Sequence, residues 1–237
     1  MTRVINDISQ RSAAIIVGLS LLLMAITAGF SVGFVLDALI VPDNAVATTN
    51  NIKASEILFR IGILGWLVIL LLDVIVAWAL HVLLRAVNQS LSLLMAWLRL
   101  SYAAVLGVGL LNFIAVLFLL NDTTYLAVFT PEQLQALVLF FLNVFDGIWQ
   151  TIGLVIFGSH LLLLGYLVLR SGYIPKILGV LLLIAALGYL TINLGNLLFP
   201  SYTAMIATIE LIFMAPMIVG EVGLGLWFLI KGGTPEN

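Results

Sequence analysis

The chain has 237 residues, of which 63% are hydrophobic and 8% charged, with a formal charge of -2 and no cysteine. Soluble domains carry charge on roughly a quarter of their residues, so most of this surface must face lipid rather than water. The charge balance excludes a basic field for nucleic acid, and the lack of cysteine excludes disulfides, thiolate metal sites and cysteine nucleophiles. The mean hydropathy of +1.26 agrees, and the length suits a single integral membrane domain over residues 1–237.

The N-terminal dozen holds Arg3, Asp7 and Arg11. The apolar run that follows, over about 12–41, exceeds the roughly 7–15 residues of a signal-peptide core. It therefore reads as an uncleaved first span, although Ala45-Val46-Ala47 imitates a cleavage site. Pro42-Asp43-Asn44 ends it, and residues 42–54 read as a polar loop leading to Ser55, an N-cap for a second span over about 56–85. That span carries Arg60, Asp73 and His81, and a third over about 91–120 carries Arg99 in its early turns and Asn112 farther on. Thr130-Pro131-Glu132-Gln133 has the capping-box pattern with proline at the first helical position, so a helix starts at 131.

The helical pattern then persists to residue 171, about 60 Å at 1.5 Å per residue, against a bilayer core of about 30 Å. The spacing predicts an extra interfacial or outward-projecting helix over 131–145, a break at Asp146-Gly147, and a fourth span over about 148–170. Spans five and six follow over about 175–199 and 203–230, with Pro216 inside the last. No segment alternates as a barrel strand does, and lipid admits only helices or closed barrels. The expected fold is all-α, a six-helix transmembrane bundle.

Basic residues orient it. With the N-terminus in the cytoplasm, Arg3, Arg11, Arg85, Arg99, Arg170, Lys176 and Lys231 fall inside and only Lys53 and Arg60 outside. The positive-inside rule then places both termini in the cytoplasm of a multi-pass plasma (inner) membrane protein. Tyr125, Trp149 and Tyr202 fall near the outer boundary, and Trp97, Tyr173 and Trp227 near the inner one. An echo between His81–Arg85 and His160–Arg170 fits a duplicated hairpin, and fits shared topogenic constraints equally.

Gly165-Tyr166-Leu167, the turn Arg170-Ser171-Gly172-Tyr173-Ile174-Pro175-Lys176, and Leu178-Gly179-Val180-Leu181 form the most distinctive stretch. Together with residues 54–60, 93–100 and 146–160, it resembles an uncharacterised bacterial multi-pass membrane family, domain of unknown function number four-three-eight-six. The resemblance covers most of the chain. It implies a bacterial inner-membrane protein and implies no activity.

A charged side chain at the bilayer centre costs about 2.5–3.5 kcal/mol on insertion scales, so such groups face a bundle interior or a wet cavity. Asp73 and His160 fall near the midpoints of spans two and four, and Glu210 and Glu221 lie in span six. Asp146, Asn193 and Asn196 complete the candidates for a ligand or proton pathway. Glu210 and Glu221 share one face of an ideal helix, as do Asp146, Gln150 and Gly153, with His160 within about 40° of Asp146 if the helix is unbroken. These depths suggest a polar cavity open outward and bottoming near Asp73 and His160.

Each residue also has a bland reading. Lone Asn and His side chains commonly bond a neighbouring helix for about 0.6 kcal/mol. That reading is preferred for Asn112, Asn193 and Asn196, and balances the functional one for His81 and His160. Asp37 and Asp146 fall near the outer boundary, where solvation accounts for them. Arg60, Arg85, Arg99 and Arg170 read as snorkelling anchors. For Asp73 and Glu221 the functional reading leads, because few basic partners lie near them in sequence. The glycines of Gly220-Glu221-Val222-Gly223-Leu224-Gly225 permit close helix approach, and Pro216 can bend the helix.

Two histidines with acids could hold zinc or manganese, but no tight ligand spacing exists, so no metal is assigned. Ser159 adjoins His160, and adjacent helix positions do not face each other. With no nucleophile elbow, P-loop or dinucleotide fingerprint, neither a catalytic residue nor a cofactor is assigned. The leading reading is binding or transport of a small molecule through an internal polar pocket, with protons exchanged through Asp73, His160 and Glu221. The alternatives are a membrane-embedded enzyme acting on a lipid or isoprenoid substrate, and a structural or regulatory subunit of a membrane complex. The expected partners are the bilayer and a small-molecule ligand, with no nucleic acid and the oligomeric state open.

Overall fold

The computed structural model describes residues 8–121 and 124–232, apart from the side chain of Tyr125. Arg3, Asp7 and the Tyr125 ring, used above for orientation, lie outside the described residues. The helices are α1 (Gln10–Leu39), α2 (Ala45–Ala54), α3 (Glu56–Leu84), α4 (Gln89–Leu120), α5 (Pro131–Ser171), α6 (Lys176–Leu198) and α7 (Thr203–Lys231). No strand occurs among the described residues. All but α2 are long and apolar enough to cross a membrane, which gives the six expected helices.

Residues 45–54 are helical, which corrects the polar loop expected over 42–54. The polar side chains that suggested a loop are instead placed at a helix end. Asn44 Oδ1 accepts the Ala47 N–H at 2.9 Å, capping α2. Thr48 Oγ1 accepts from Val41 N at 2.9 Å and donates to Val41 O at 3.1 Å, while Asn51 Nδ2 donates to Leu39 O at 3.3 Å. These bonds serve backbone groups at the C-terminal end of α1 that would otherwise be orphaned. Ile52, fully buried, anchors the other face. Ser55 is at once the C-cap of α2 and the residue that opens α3, its carbonyl accepting from Phe59 N at 3.1 Å.

The start of α5 follows the sequence pattern. Thr130 Oγ1 accepts from Gln133 N at 3.3 Å, and Gln133 Oε1 accepts from Thr130 N at 2.8 Å. The helix then passes Asp146-Gly147 without a break. Over Ile148–Gly153 its bonding widens from the α to the π pattern, and a second π segment occupies Gly29–Leu36 of α1.

The chain forms two compact units, divided within its long helices. One comprises the described residues of Met1–Leu23, Leu72–Ser101 and Val155–Asn237. Here α5 and α6 touch backbone to backbone: a Cβ on Gly165 would lie 3.0 Å from Gly179 O and 2.9 Å from Leu183 Cγ. Glycine at such crossings replaces hydrophobic driving force with close van der Waals contact. Between the two helices, Gly172 takes φ +76°, a left-handed value that glycine adopts without a Cβ clash. Tyr173 Oη donates to Leu83 O at 2.9 Å, tying this turn to the end of α3, and burial pushes the Tyr173 hydroxyl up to about 12. Arg11 donates to Phe228 O, Leu229 O and Gly232 O at 3.0, 2.6 and 2.9 Å. The start of α1 and the end of α7 therefore lie together, with the last carbonyls of α7 satisfied by a cation where the helix dipole favours one.

The other unit comprises the described residues of Met24–Leu71 and Tyr102–Leu154. Its core is aromatic. Trp66 meets Phe145 and Trp149 edge-on at 5.3 and 5.0 Å between ring centroids, and Phe113 lies 4.1 Å from Phe145.

Candidate functional site

The first unit buries a charge cluster. The α3–α4 hairpin turns about Ala86, leaving Asp73 and Arg99 thirteen residues to either side and so at one level. Arg99 Nη2 lies 2.7 Å from Asp73 Oδ1. Asp73 is 0% and Arg99 1% exposed. The other guanidinium nitrogen, Nη1, is 3.3 Å from His160 Nε2, and His160 Nδ1 is 2.9 Å from Met95 O. A carbonyl only accepts and a guanidinium only donates, so Nδ1 carries the imidazole hydrogen and Nε2 offers its lone pair to Arg99.

Aromatic side chains extend the cluster. The Arg99 guanidinium carbon lies 5.4 Å from the Phe157 ring centroid, within cation–π range. Phe157 meets Tyr189 of α6 edge-on at 5.3 Å, and Tyr189 Oη donates to Glu221 Oε1 of α7 at 3.2 Å. Glu221 is half-buried and within electrostatic reach of Arg99 and Asp73. Five helices thus contribute to one network of a guanidinium, two carboxyl groups, an imidazole and a phenol. Asp73–Arg99 is a close ion pair rather than an aligned hydrogen bond, and Asp73 Oδ2 has no hydrogen-bond partner among the described residues. An unsatisfied buried oxygen costs about 1–3 kcal/mol, which marks the position as unusual for a purely structural pair.

Arg99 corrects the sequence reading twice. It is not a snorkelling anchor, and it supplies the basic partner that Asp73 lacked in sequence. The signal was present in the symmetry of Asp73 and Arg99 about the hairpin turn. Phe157 and Tyr189 were also missed, and apolar helices with many aromatic residues give no signal for them.

The remaining candidates are placed separately. Glu210 and Asn196 are exposed. Asn193 is buried, and its Nδ2 donates to Tyr189 O of its own helix at 2.7 Å. Asn112 likewise bonds Gly109 O at 2.9 Å, and Ser159 bonds Val155 O at 2.9 Å. His81 Nδ1 meets Ser92 Oγ at 3.0 Å. Asp146 is exposed and accepts from Gln150 Nε2 at 2.7 Å. The π segment after it removes the 3.6-residue register on which the shared face of Asp146 and His160 depended. Among the described residues, no three His, Asp or Glu side chains gather as metal ligands.

Two cavities bordered by described residues lie in the second unit, and neither Asp73 nor His160 lines them. One, of about 470 Å³, is bordered by Thr49, Asn50, Lys53 and Gln135. The other, of about 270 Å³, is bordered by Asp37 and Asp146.

The family model described as "Domain of unknown function (DUF4386)" matches residues 16–232, a range that takes in the Asp73–Arg99–His160 cluster, Tyr189 and Glu221. The chain belongs to this family. The DUF4386 chain is also similar to an "Uncharacterized protein" of Archaeoglobus fulgidus, 36% identical over 171 residues, covering 72% of this chain and 83% of that protein. No solved structure matches it.

Proposed function

We propose that this DUF4386 protein binds and transports a small molecule across a cell membrane, with proton exchange at the buried network of Asp73, Arg99, His160 and Glu221. The observation that carries this reading is the fully buried Asp73–Arg99 pair, with a free carboxylate oxygen, on helices apolar enough to span lipid. Ionisable groups at membrane depth are costly, and they mark ion and proton routes.

Protonation of Asp73 would cancel its charge and leave Arg99 without its carboxylate. Removing one partner from a buried pair costs about 3–5 kcal/mol. A bias of about 5.5 kcal/mol carries a two-state equilibrium from 1:99 to 99:1, so one proton at Asp73 supplies much of a conformational switch. Glu221, held by Tyr189, is the second carboxyl group within reach of the released cation. In this reading both termini lie in the cytoplasm. Without Arg99 the inside-to-outside balance of basic residues is six to two, which still favours that orientation.

The test is proton flux into proteoliposomes containing an entrapped pH dye, driven by an imposed potassium diffusion potential. Native protein should exceed protein-free vesicles, and Asp73→Asn and Glu221→Gln should each lower the excess at least about tenfold. Native flux equal to the protein-free background, or variants equal to native, would overturn the proposal.

A further inference from the structure

The Asp73–Arg99–His160 cluster is buried, and α7 carries an acid that it does not use. Glu210 is exposed and has no ion-pair partner among the described residues. It stands seven residues past Thr203, where α7 begins, or about 10 Å along the axis. The other arm of this hairpin, α6, has 23 residues and is about 34 Å long, against a hydrocarbon core of about 30 Å. Little of the hairpin can project beyond the core, so Glu210 lies well within it. A glutamate is too short to snorkel to the interface from there, as long cations do. Lipid tails are a costly cover for this side chain.

The face of α7 that holds Glu210 changes character along the helix. Glu210, Met214, Met217, Glu221, Leu224 and Phe228 alternate at spacings of four and three, so they form one row. Glu210 and Met214 are exposed, Met217 and Glu221 half-buried, and Leu224 and Phe228 buried. At Glu221 the row meets the network, where Tyr189 Oη donates to its carboxylate. Beyond Glu221 the start of α1 closes in. A Cβ on Gly18 would lie 2.7 Å from Gly225 O, and Arg11 holds the last carbonyls of α7.

We propose that this row lines an aqueous path from the α6–α7 turn, residues 199–202, down to Glu221, with Glu210 as the first acid a proton meets. The path stops at Leu224. The network is thus open toward the turn and shut toward the termini, which with cytoplasmic termini makes this the outward-open state. The path rests on the transport reading for its purpose, but water along the row is a property that can be measured without transport. Intramembrane acids that face water rather than lipid are the usual markers of proton routes, and a row that passes from exposed to buried at the network gives this route its direction.

The native chain has no cysteine, so each single-cysteine variant carries one thiol. Full-length Glu210→Cys, Met214→Cys, Met217→Cys and Leu224→Cys are treated with a membrane-impermeant thiosulfonate in spheroplasts and in inverted membrane vesicles. Mass spectrometry reads the modified fraction. The reagent consumes the thiolate, which forms in water and not in lipid. Ser201→Cys, in the turn, marks which preparation exposes that side. Leu211→Cys, turned about 100° from Glu210 and 69% exposed, reports the lipid. Positions 210 and 214 should react at least about tenfold faster than 211, and only in the preparation that labels 201. Position 217 should react more slowly from the same side, and 224 from neither. A position 210 as unreactive as 211, as lipid or a covering helix would make it, would overturn the path, and so would labelling of 217 from the side of the termini. Proton flux separates the two claims. Flux without this labelling pattern overturns the path alone, and the pattern without flux overturns the transport reading alone.

Discussion

Replacing Asp73 with leucine removes one half of an ion pair whose partners are 0% and 1% exposed. Arg99 then keeps a buried charge without its carboxylate, at a cost of about 3–5 kcal/mol. Arg99→Met leaves Asp73 equally uncompensated and takes from His160 Nε2 its hydrogen-bond donor, adding about 1 kcal/mol. Taken as independent, the two changes would cost about 7 kcal/mol or more together. They are not independent, because the double variant removes both charges at once. Exchanging a buried pair for apolar side chains of similar size is often neutral or stabilising by about 1–4 kcal/mol. The double variant should therefore lie within about 2 kcal/mol of the native protein, leaving a coupling of at least about 5 kcal/mol. Denaturant unfolding of all four proteins in mixed micelles measures it. Additive losses, or single variants as stable as native, would refute the claim that these side chains form a desolvated pair.

Four further outcomes follow from local geometry. Gly165→Ala would place a methyl 3.0 Å from Gly179 O and should cost about 1–3 kcal/mol of stability. Gly29→Ala, with nothing within 4 Å of the added Cβ, should be neutral or stabilising by up to about 1 kcal/mol in the same unfolding assay. The Tyr173 hydroxyl holds its proton to about 12 when folded, against an ordinary value of 10.0, so the folded state binds the proton more tightly. That contribution is fully present below pH 10 and fades as pH rises to about 12, up to about 2–3 kcal/mol before solvent screening. Stability measured from pH 9 to 12 should fall less steeply in Tyr173→Phe than in native protein. Arg11→Ala strips donors from three carbonyls at the end of α7, and hydrogen exchange should show faster opening over residues 226–231.

The helical architecture was legible because lipid allows few alternatives and because its signals are local. The Thr130–Gln133 capping box is one such signal, since both of its bonds join residues three apart. α2 was not legible. Its Thr48 and Asn51 bond back to Val41 and Leu39, and until those contacts are known the same polar residues describe a loop. The π segments escaped for a different reason, as every face-sharing argument assumed 3.6 residues per turn. That assumption aligned Asp146 with His160 and concealed the meeting of Asp37 and Asp146 at one cavity.

Insertion cost correctly singled out Asp73 and His160 as groups needing an interior partner, and both meet Arg99. Arg99 was misjudged because depth was counted from the nearest helix end without asking which residue faces it across the hairpin. Glu210 and Glu221 show the limit of helical spacing as a guide. It placed them on one face of an ideal helix, yet Glu210 is exposed while Glu221 is half-buried against Tyr189.

The Asp73–Arg99–His160 cluster can be tested most directly by nitrogen-15 NMR of the protein in lipid bilayers, with labelled histidine and arginine. The chain has only two histidines, so a His81→Gln variant assigns His160 outright. His160 is expected with its hydrogen on Nδ1, a bare Nε2, and a close contact from that nitrogen to the Arg99 guanidinium. A His160 protonated on Nε2, or one with no arginine beside it, would contradict the cluster on which the proposed function stands.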